Sequence, residues 1–488
     1  MIYNNALFEL SEVLKITENN ICYDCLVRKI PELNKINDIE DYNNFINSNN
    51  FNSNNSNNFN SNNFNSNNSN SNNFNSNNSN SNNFNSNNSN SNNDNERNNE
   101  NINDIIKNIK NIKNNNDFNE CEICKGVLPN FDIKTIINKI NDKIEYLNLE
   151  FKSFLVGSKL PKEIVEIDDF INEKIGIESI NIKKDINIRI GEALEDEWGL
   201  EVDFNNPDIV VMVDFRRVFE TIENSGDDID KTIFEDVNIR IQINPIFIEG
   251  RYLKFLRTIP QTKWPCRKCK GKGCDECNFT GKKYQESVEE LLSNVAIKIF
   301  NGYKSKFHGA GREDIDVRML GNGRPFVLEI LEPKTRFVDL EKLEKDANEY
   351  SNGKTEYLNL KYTNKSRKAE IKVSSPNTYK VYRALVECEM EIDKDKLNLL
   401  KSLKTIHQTT PQRVLHRRAD KIRIKEVKDL KYNLLSPTSF EMIIKTEGGL
   451  YIKELISSDD GRTKPSVSEI LDNNSICKEL DVIEVGIK

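Results

Sequence analysis

Apolar and polar positions alternate along much of this chain, and the spacing of the alternation predicts its elements. VEIDDFINEKIGIESI (165–180) and KKDINIRIGEALEDEWGL (183–200) read as helices with a short connection. DIVVMVDF (208–215) is β-branched and apolar, which predicts a buried strand. NIRIQINPIFIEGRYL (238–253) alternates apolar with polar and predicts one further strand. After a cysteine-bearing loop, ESVEELLSNVAIKIF (286–300) predicts a helix. Short alternating segments then recur: 314–320, 325–331, 370–375, 379–388, 421–435, 439–456 and 481–487. Regular alternation with few long helices predicts a large, mainly antiparallel sheet with flanking helices, in a multi-domain α+β protein.

Ahead of these elements the pattern fails. Residues from about 46 to 103 are dominated by Asn, Ser and Phe, and the unit FNSNNSNSNN recurs so that Phe64, Phe74 and Phe84 are evenly spaced. Such a tract has too little apolar surface to offset its ordering entropy, which predicts a disordered insertion. Loop closure cost rises only logarithmically with length, so a long insertion is tolerable between two halves of one site. The expected division is a region at 1–149 holding the insertion, a domain at 150–246, and a domain at 247–488 with a cysteine-rich loop at 264–281.

Composition narrows the class. With 36% hydrophobic and 30% charged residues among 488, the chain suits a protein of two or three cored domains. No apolar run reaches the length of a membrane span, and the start lacks a basic region followed by an apolar core, so the cytoplasm is the expected compartment. The net charge of −8 argues against nonspecific coating of nucleic acid but leaves room for a local basic face. Eight of the ten cysteines form C-x-x-C pairs, which in a reducing compartment read as metal or redox sites. Cys22, Cys25, Cys121 and Cys124 together supply the four thiolates of a structural zinc site. Cys266, Cys269, Cys274 and Cys277 could close a second zinc site, or form a reduced loop without metal.

The densest chemistry lies in HGAGREDIDVRMLGNGRPFVLEI, from His308 to Ile330. An acid flanked by arginines suits a nucleophile or base beside a polyanion; the bland alternative is a charged turn with surface ion pairs. Gly311-Arg312-Glu313-Asp314 resembles the G-R-x-D motif of pseudouridine synthases. Lys380-Val-Tyr382-Arg-Ala384 resembles their K-x-Y-x-A motif, and Gly449-Leu-Tyr451-Ile452-Lys453-Glu-Leu455 resembles their G-x-Y-I-R/K-x-L motif. The three stand in the order that superfamily requires. GREDIDVRMLGNGRPF, RYLKFLRTIPQTKWPC and TPQRVLHRRADK resemble the stand-alone synthases of archaea and eukaryotes that act at positions 54 and 55 of the tRNA TΨC loop. Gly191 to Asp214 resembles the core of a THUMP domain, an RNA-binding module.

The resemblance implies a tRNA pseudouridine synthase, a monomer, with tRNA as partner and no membrane association. Asp314 would be the catalytic carboxylate, paired with Lys453. Tyr382 would stack on the target base with Tyr451 beside it, and Arg312 would fill the vacated space or hold a phosphate. Isomerising uridine involves no redox change and no phosphate transfer, so no cofactor is needed for catalysis. In the basic run 411–425, Arg413, Arg417, Arg418 and Lys421 are the expected contacts to tRNA phosphates, against the plain alternative of a solvated face. The competing functions are a non-catalytic tRNA-binding scaffold and another THUMP-associated tRNA-modifying enzyme. In an extended chain Asp314 and Asp316 share a face and Glu313 points away.

Overall fold

A computed structural model describes residues 9–10, 12–18, 20–30, 107, 111–112, 121–175, 179–225, 231–374 and 378–486. The Asn/Ser/Phe-rich tract expected to be disordered lies outside the described residues. The chain divides into two compact units. The first comprises 1–143, 154–204 and 210–241, and the second comprises 144–153, 205–209 and 242–488.

The first unit is built on a four-stranded sheet in the order β2-β1-β3-β4, with β1 Ser153–Lys159, β2 Glu201–Val202, β3 Ile209–Asp214 and β4 Asn238–Ile243. Strict alternation of buried and half-buried residues along β1 and β3 leaves one apolar face to cover. Helices Lys162–Ile175 and Ile182–Trp198 bring apolar stripes, the latter burying Ile182, Ile186, Ile190 and Leu194. Asn181 caps the second of these by accepting from Lys184 N, and Gly199 ends it at φ 63°, where a left-handed residue is needed.

The second unit carries a ten-stranded sheet in the order β13-β10-β11-β12-β9-β14-β7-β5-β8, with β6 also paired to β7. The strands are β5 Ile246–Lys254, β6 Lys304–Gly309, β7 Val317–Leu331, β8 Thr355–Thr363, β9 Tyr379–Cys388, β10 Thr405–Thr409, β11 Ile422–Ser436, β12 Ser439–Glu447, β13 Thr463–Lys464 and β14 Ser475–Val485. Only β14 and β7 run parallel, with Leu480 opposite Val317. Residues such as Val327, Leu328, Ala384, Phe440, Met442 and Ile444 form its continuous core, into which helices Val288–Ile299 and Leu340–Ser351 pack. Gly321 and Gly323 interrupt β7, and a Cβ at Gly321 would lie 1.8 Å from the Ile483 carbonyl, so only glycine fits there.

Several expectations from the alternation need correction. Residues 238–253 form two strands in different sheets, because Pro245 has no N–H to continue the first ladder. Of the segment 370–375, residues 370–374 fall in helix Arg367–Ser374, not in a strand, and 375 lies outside the described residues; the short apolar spacing there fits either period. The predicted strand 439–456 stops at Glu447, and Ile452–Ser457 is helical after the turn at Gly449, φ 94°. Strands β1, β2, β6, β8, β10 and β13 lie beyond the segments that alternation marked; ladder hydrogen bonding completes them, to neighbouring strands for β6 and β10 and to a strand about 100 residues away for β8.

Candidate active site

The site is built from the back. Tyr252 and Lys254 lie on the same face of β5, and both are fully buried. A buried ammonium must be satisfied, and Lys254 Nζ donates to three carbonyls: Ile259 at 3.0 Å, Asp314 at 3.2 Å and Ile315 at 2.9 Å. Burial pushes this lysine down to about 8. Beside it Glu313 points inward, accepting from the Tyr252 hydroxyl at 2.8 and 2.9 Å and pairing with Arg324 Nε at 2.9 Å. Gln261 donates to Tyr252 and to the Gly311 carbonyl. The chain turns into this anchor at Gly311, φ 83°. The short loop between β6 and β7 is therefore held by its backbone and by Glu313, and Asp314 is left facing outward.

Asp314 and Asp316 do reach a common partner, but not through an extended chain. Val317 N bonds the Asp314 carbonyl at 3.1 Å, so the segment is a turn. Lys453, in the first turn of helix Ile452–Ser457, lies 2.6 Å from Asp316 Oδ2 and 3.9 Å from Asp314 Oδ2. Although burial raises it, the Asp316 carboxyl is held below its ordinary range by Lys453. The nearest cation to Asp314 is Arg413, whose Nη1 stands 2.9 Å from Oδ2. Both cations make their closest approach to that one oxygen, and Oδ1 receives no hydrogen bond among the described residues.

The aromatic residues flank this centre. Tyr382 is half-buried in β9, within electrostatic reach of Arg324 and Glu313 under the loop. Tyr451 precedes helix Ile452–Ser457, and its ring lies 5.8 Å from the Arg413 guanidinium. The Gln408 side chain fixes Tyr451, accepting from its N–H at 2.8 Å and donating to its carbonyl at 3.0 Å. Arg312 is exposed, with its guanidinium 4.9 Å from the Trp264 ring at the root of the second cysteine loop. Arg413 stands apart from the basic trio with which the sequence grouped it. Arg417, Arg418 and Lys421 are exposed and form no side-chain ion pair among the described residues.

Both cysteine sets converge. The sulfurs of Cys22, Cys25, Cys121 and Cys124, and those of Cys266, Cys269, Cys274 and Cys277, each lie within 4.8 Å of one another. A tetrahedral ion with Zn–S bonds of about 2.3 Å needs sulfurs roughly 3.8 Å apart. The observed separations fit: 3.5 Å for Cys22–Cys124, 3.9 Å for Cys266–Cys274, 3.9 Å for Cys269–Cys277 and 3.7 Å for Cys274–Cys277. Arg28, 3.7 Å from the Cys25 sulfur, offsets charge that a buried four-thiolate centre would carry. In the second loop a Cβ at Gly281 would come within 2.4 Å of the Gly271 carbonyl, so the glycines let the loop close on its sulfurs. Either set could hold a metal.

The sequence marked Asp314, Tyr382, Tyr451 and Lys453, which are brought to one region. Glu313 and Arg324 it named only as members of the charged segment, and Tyr252 and Lys254 only inside a family-like stretch, without a role for any of the four. One signal was available: a lysine at a core-facing position of an alternating strand. Among the described residues no helix is long and apolar enough to cross a membrane.

Comparison with known proteins completes the assignment. The family "Pus10, C-terminal" matches residues 247–486, and "Pus10 THUMP domain, archaeal" matches 136–214. The tRNA pseudouridine synthase Pus10 of Methanothermobacter marburgensis is 46% identical over 366 residues, 75% of this chain and 86% of that one. The namesake from Methanocaldococcus jannaschii is 46% identical over 373 residues, 75% of each chain. That from Archaeoglobus fulgidus is 40% identical over 373 residues, 75% of this chain and 95% of that one. With such identity spread over both units and the outward aspartate held among cations, the chain belongs to the Pus10 family of tRNA pseudouridine synthases.

Proposed function

We propose that this protein isomerises uridine to pseudouridine in the TΨC loop of tRNA, at position 54, 55 or both, with Asp314 as the reacting carboxylate. The observation that carries the reading is the state of that carboxylate. Its loop is fixed from behind by Lys254 and Glu313, two cations face Oδ2, and Oδ1 is left without a hydrogen-bond donor among the described residues. An ionised carboxylate so placed can attack the ribose anomeric carbon or the uracil ring, or take a proton. Tyr382 stacks on the uracil once it is extruded from the loop, and Tyr451 forms a second wall. Arg312, anchored on Trp264, meets the space or the phosphate that the flipped nucleotide leaves. Arg413 serves Asp314, so the tRNA backbone is met by Arg417, Arg418 and Lys421.

No cofactor takes part in the reaction. Both cysteine sets hold zinc, which closes each loop and contributes folding free energy. Unpaired cysteines throughout the chain suit a reducing cytoplasm. The test is incubation with an unmodified tRNA transcript and no cofactor, followed by chemical mapping of pseudouridine. Bound tRNA with no pseudouridine at 54 or 55 would favour the scaffold reading.

A further inference from the structure

Glu454 follows Lys453 directly and is buried, only 5% exposed. A buried carboxylate is tolerated when it is paired, and Oε1 accepts from Arg413 Nε at 2.5 Å. Its other oxygen, Oε2, is buried with no hydrogen-bond partner among the described residues. Arg413 thus bridges two carboxylates, with Nε toward Glu454 and Nη1 toward Asp314. A guanidinium left to itself prefers to grip a carboxylate with two parallel N–H bonds, one to each oxygen. Here the Nε edge is occupied, and the nearest approach to Asp314 falls on Oδ2 alone. Lys453 is drawn toward Asp316, 2.6 Å away, and stands 3.9 Å from Asp314 Oδ2, so the close contact to the Asp314 carboxylate is that of Arg413.

We propose that Glu454 is a positioning residue: by holding the Nε edge of Arg413 it makes the guanidinium cap one oxygen of Asp314 and keeps Oδ1 open to the substrate. Freed from Glu454, the guanidinium turns to close both oxygens of Asp314 in a fork, or swings toward the tRNA phosphates. Either movement lowers the rate of the chemical step without removing a contact to tRNA. The inference rests on Asp314 being the reacting carboxylate.

The experiment measures single-turnover pseudouridine formation at saturating tRNA, with tRNA affinity and thermal melting measured in parallel. Glu454→Gln keeps an acceptor of the same shape but loses the charge that fixes Arg413. Its rate should fall by about 10-fold or more, with tRNA affinity changed by less than about twofold. Because Glu454 acts only through Arg413, adding Glu454→Gln to Arg413→Lys should slow the reaction no further. A rate within about twofold of wild type, or losses that multiply in the double variant, would overturn the proposal. If Glu454→Gln does not fold, the pair Arg413→Gln/Glu454→Gln removes both charges together. It should react as Arg413→Gln alone does, and a slower pair would overturn the proposal. Wild-type protein that binds tRNA yet forms no pseudouridine would sink the reading of Asp314 itself, a distinct result.

Discussion

Asp314→Asn separates the proposed chemistry from folding because the two would use different atoms of one residue. Its backbone carbonyl carries the Lys254 bond, and its carboxylate carries the pairs with Arg413 and Lys453. The substitution leaves the first untouched and removes the charge from the second. With Asp314 33% exposed, Arg413 38% and Lys453 24%, each pair contributes at most about 1 kcal/mol after solvent screening. The expected cost in stability is therefore no more than about 2 kcal/mol. For a unit of this size that lowers the melting temperature by at most about 4–8 °C. Activity should respond on another scale. An amide neither attacks carbon nor accepts a proton as a carboxylate does, and losing that group should slow single turnover by at least about 10³-fold, roughly 4 kcal/mol of barrier. The assay is pseudouridine formation on saturating tRNA transcript, with binding and melting followed alongside. Asp316→Asn is the control: it keeps an acceptor for Lys453 but removes the charge opposite that ammonium, weakening its hold and leaving the Asp314 carboxylate in place, so turnover should persist. Substantial activity in Asp314→Asn with none in Asp316→Asn would move the reacting carboxylate by two residues. Full activity in both would refute the synthase chemistry.

The other predictions follow from other parts of the molecule. Purified protein should contain about two zinc ions per chain by elemental analysis, and replacing Cys22 and Cys25 by Ser should lower stability more than intrinsic rate. Metal-free protein of full stability and activity would refute this. Neutralising Arg417, Arg418 and Lys421 together should weaken tRNA binding with little change in saturated rate, and should reduce the log–log salt slope by roughly 0.7–0.9 per lost phosphate contact; an unchanged slope would return the trio to a solvated face. Deleting about residues 48–98 should leave folding, metal content and activity largely intact. Lys380 is pushed down to about 7, by burial first and by Arg324 next. Its unfolded value is near 10.4, so its charged form opposes folding fully below about pH 7 and ceases to do so as pH rises toward 10.4. Lys380→Met should therefore gain stability over wild type at pH 6 and lose that advantage by pH 10, as read from melting temperatures; a gap that does not change with pH would contradict it.

Much of this protein was legible in the chain. Four C-x-x-C pairs, three ordered short motifs and a period of two over the last 240 residues of the sequence indicated metal-ready loops, a synthase and a large sheet. Each of these depends on local chemistry: a thiolate binds metal wherever it is brought, and alternation follows from the pleat. Local period misled where segments were short, as in helix Arg367–Ser374, because a few apolar residues fit helix and strand alike.

The partners of the proposed reacting carboxylate could not be read that way. Arg413 lies 99 positions after Asp314 in a run of basic residues that look alike, and Glu454 lies a further 41 positions on. Only the pairing of β10 with β11 and the turn into helix Ile452–Ser457 bring them together. Likewise Glu313 and Asp314 are adjacent acids, and nothing in their identity says which is buried. The sequence by itself determined which residue types could do this chemistry. The tertiary structure decided which oxygen of which carboxylate is left open, because hydrogen bonds and ion pairs are set by distances between segments remote in the chain.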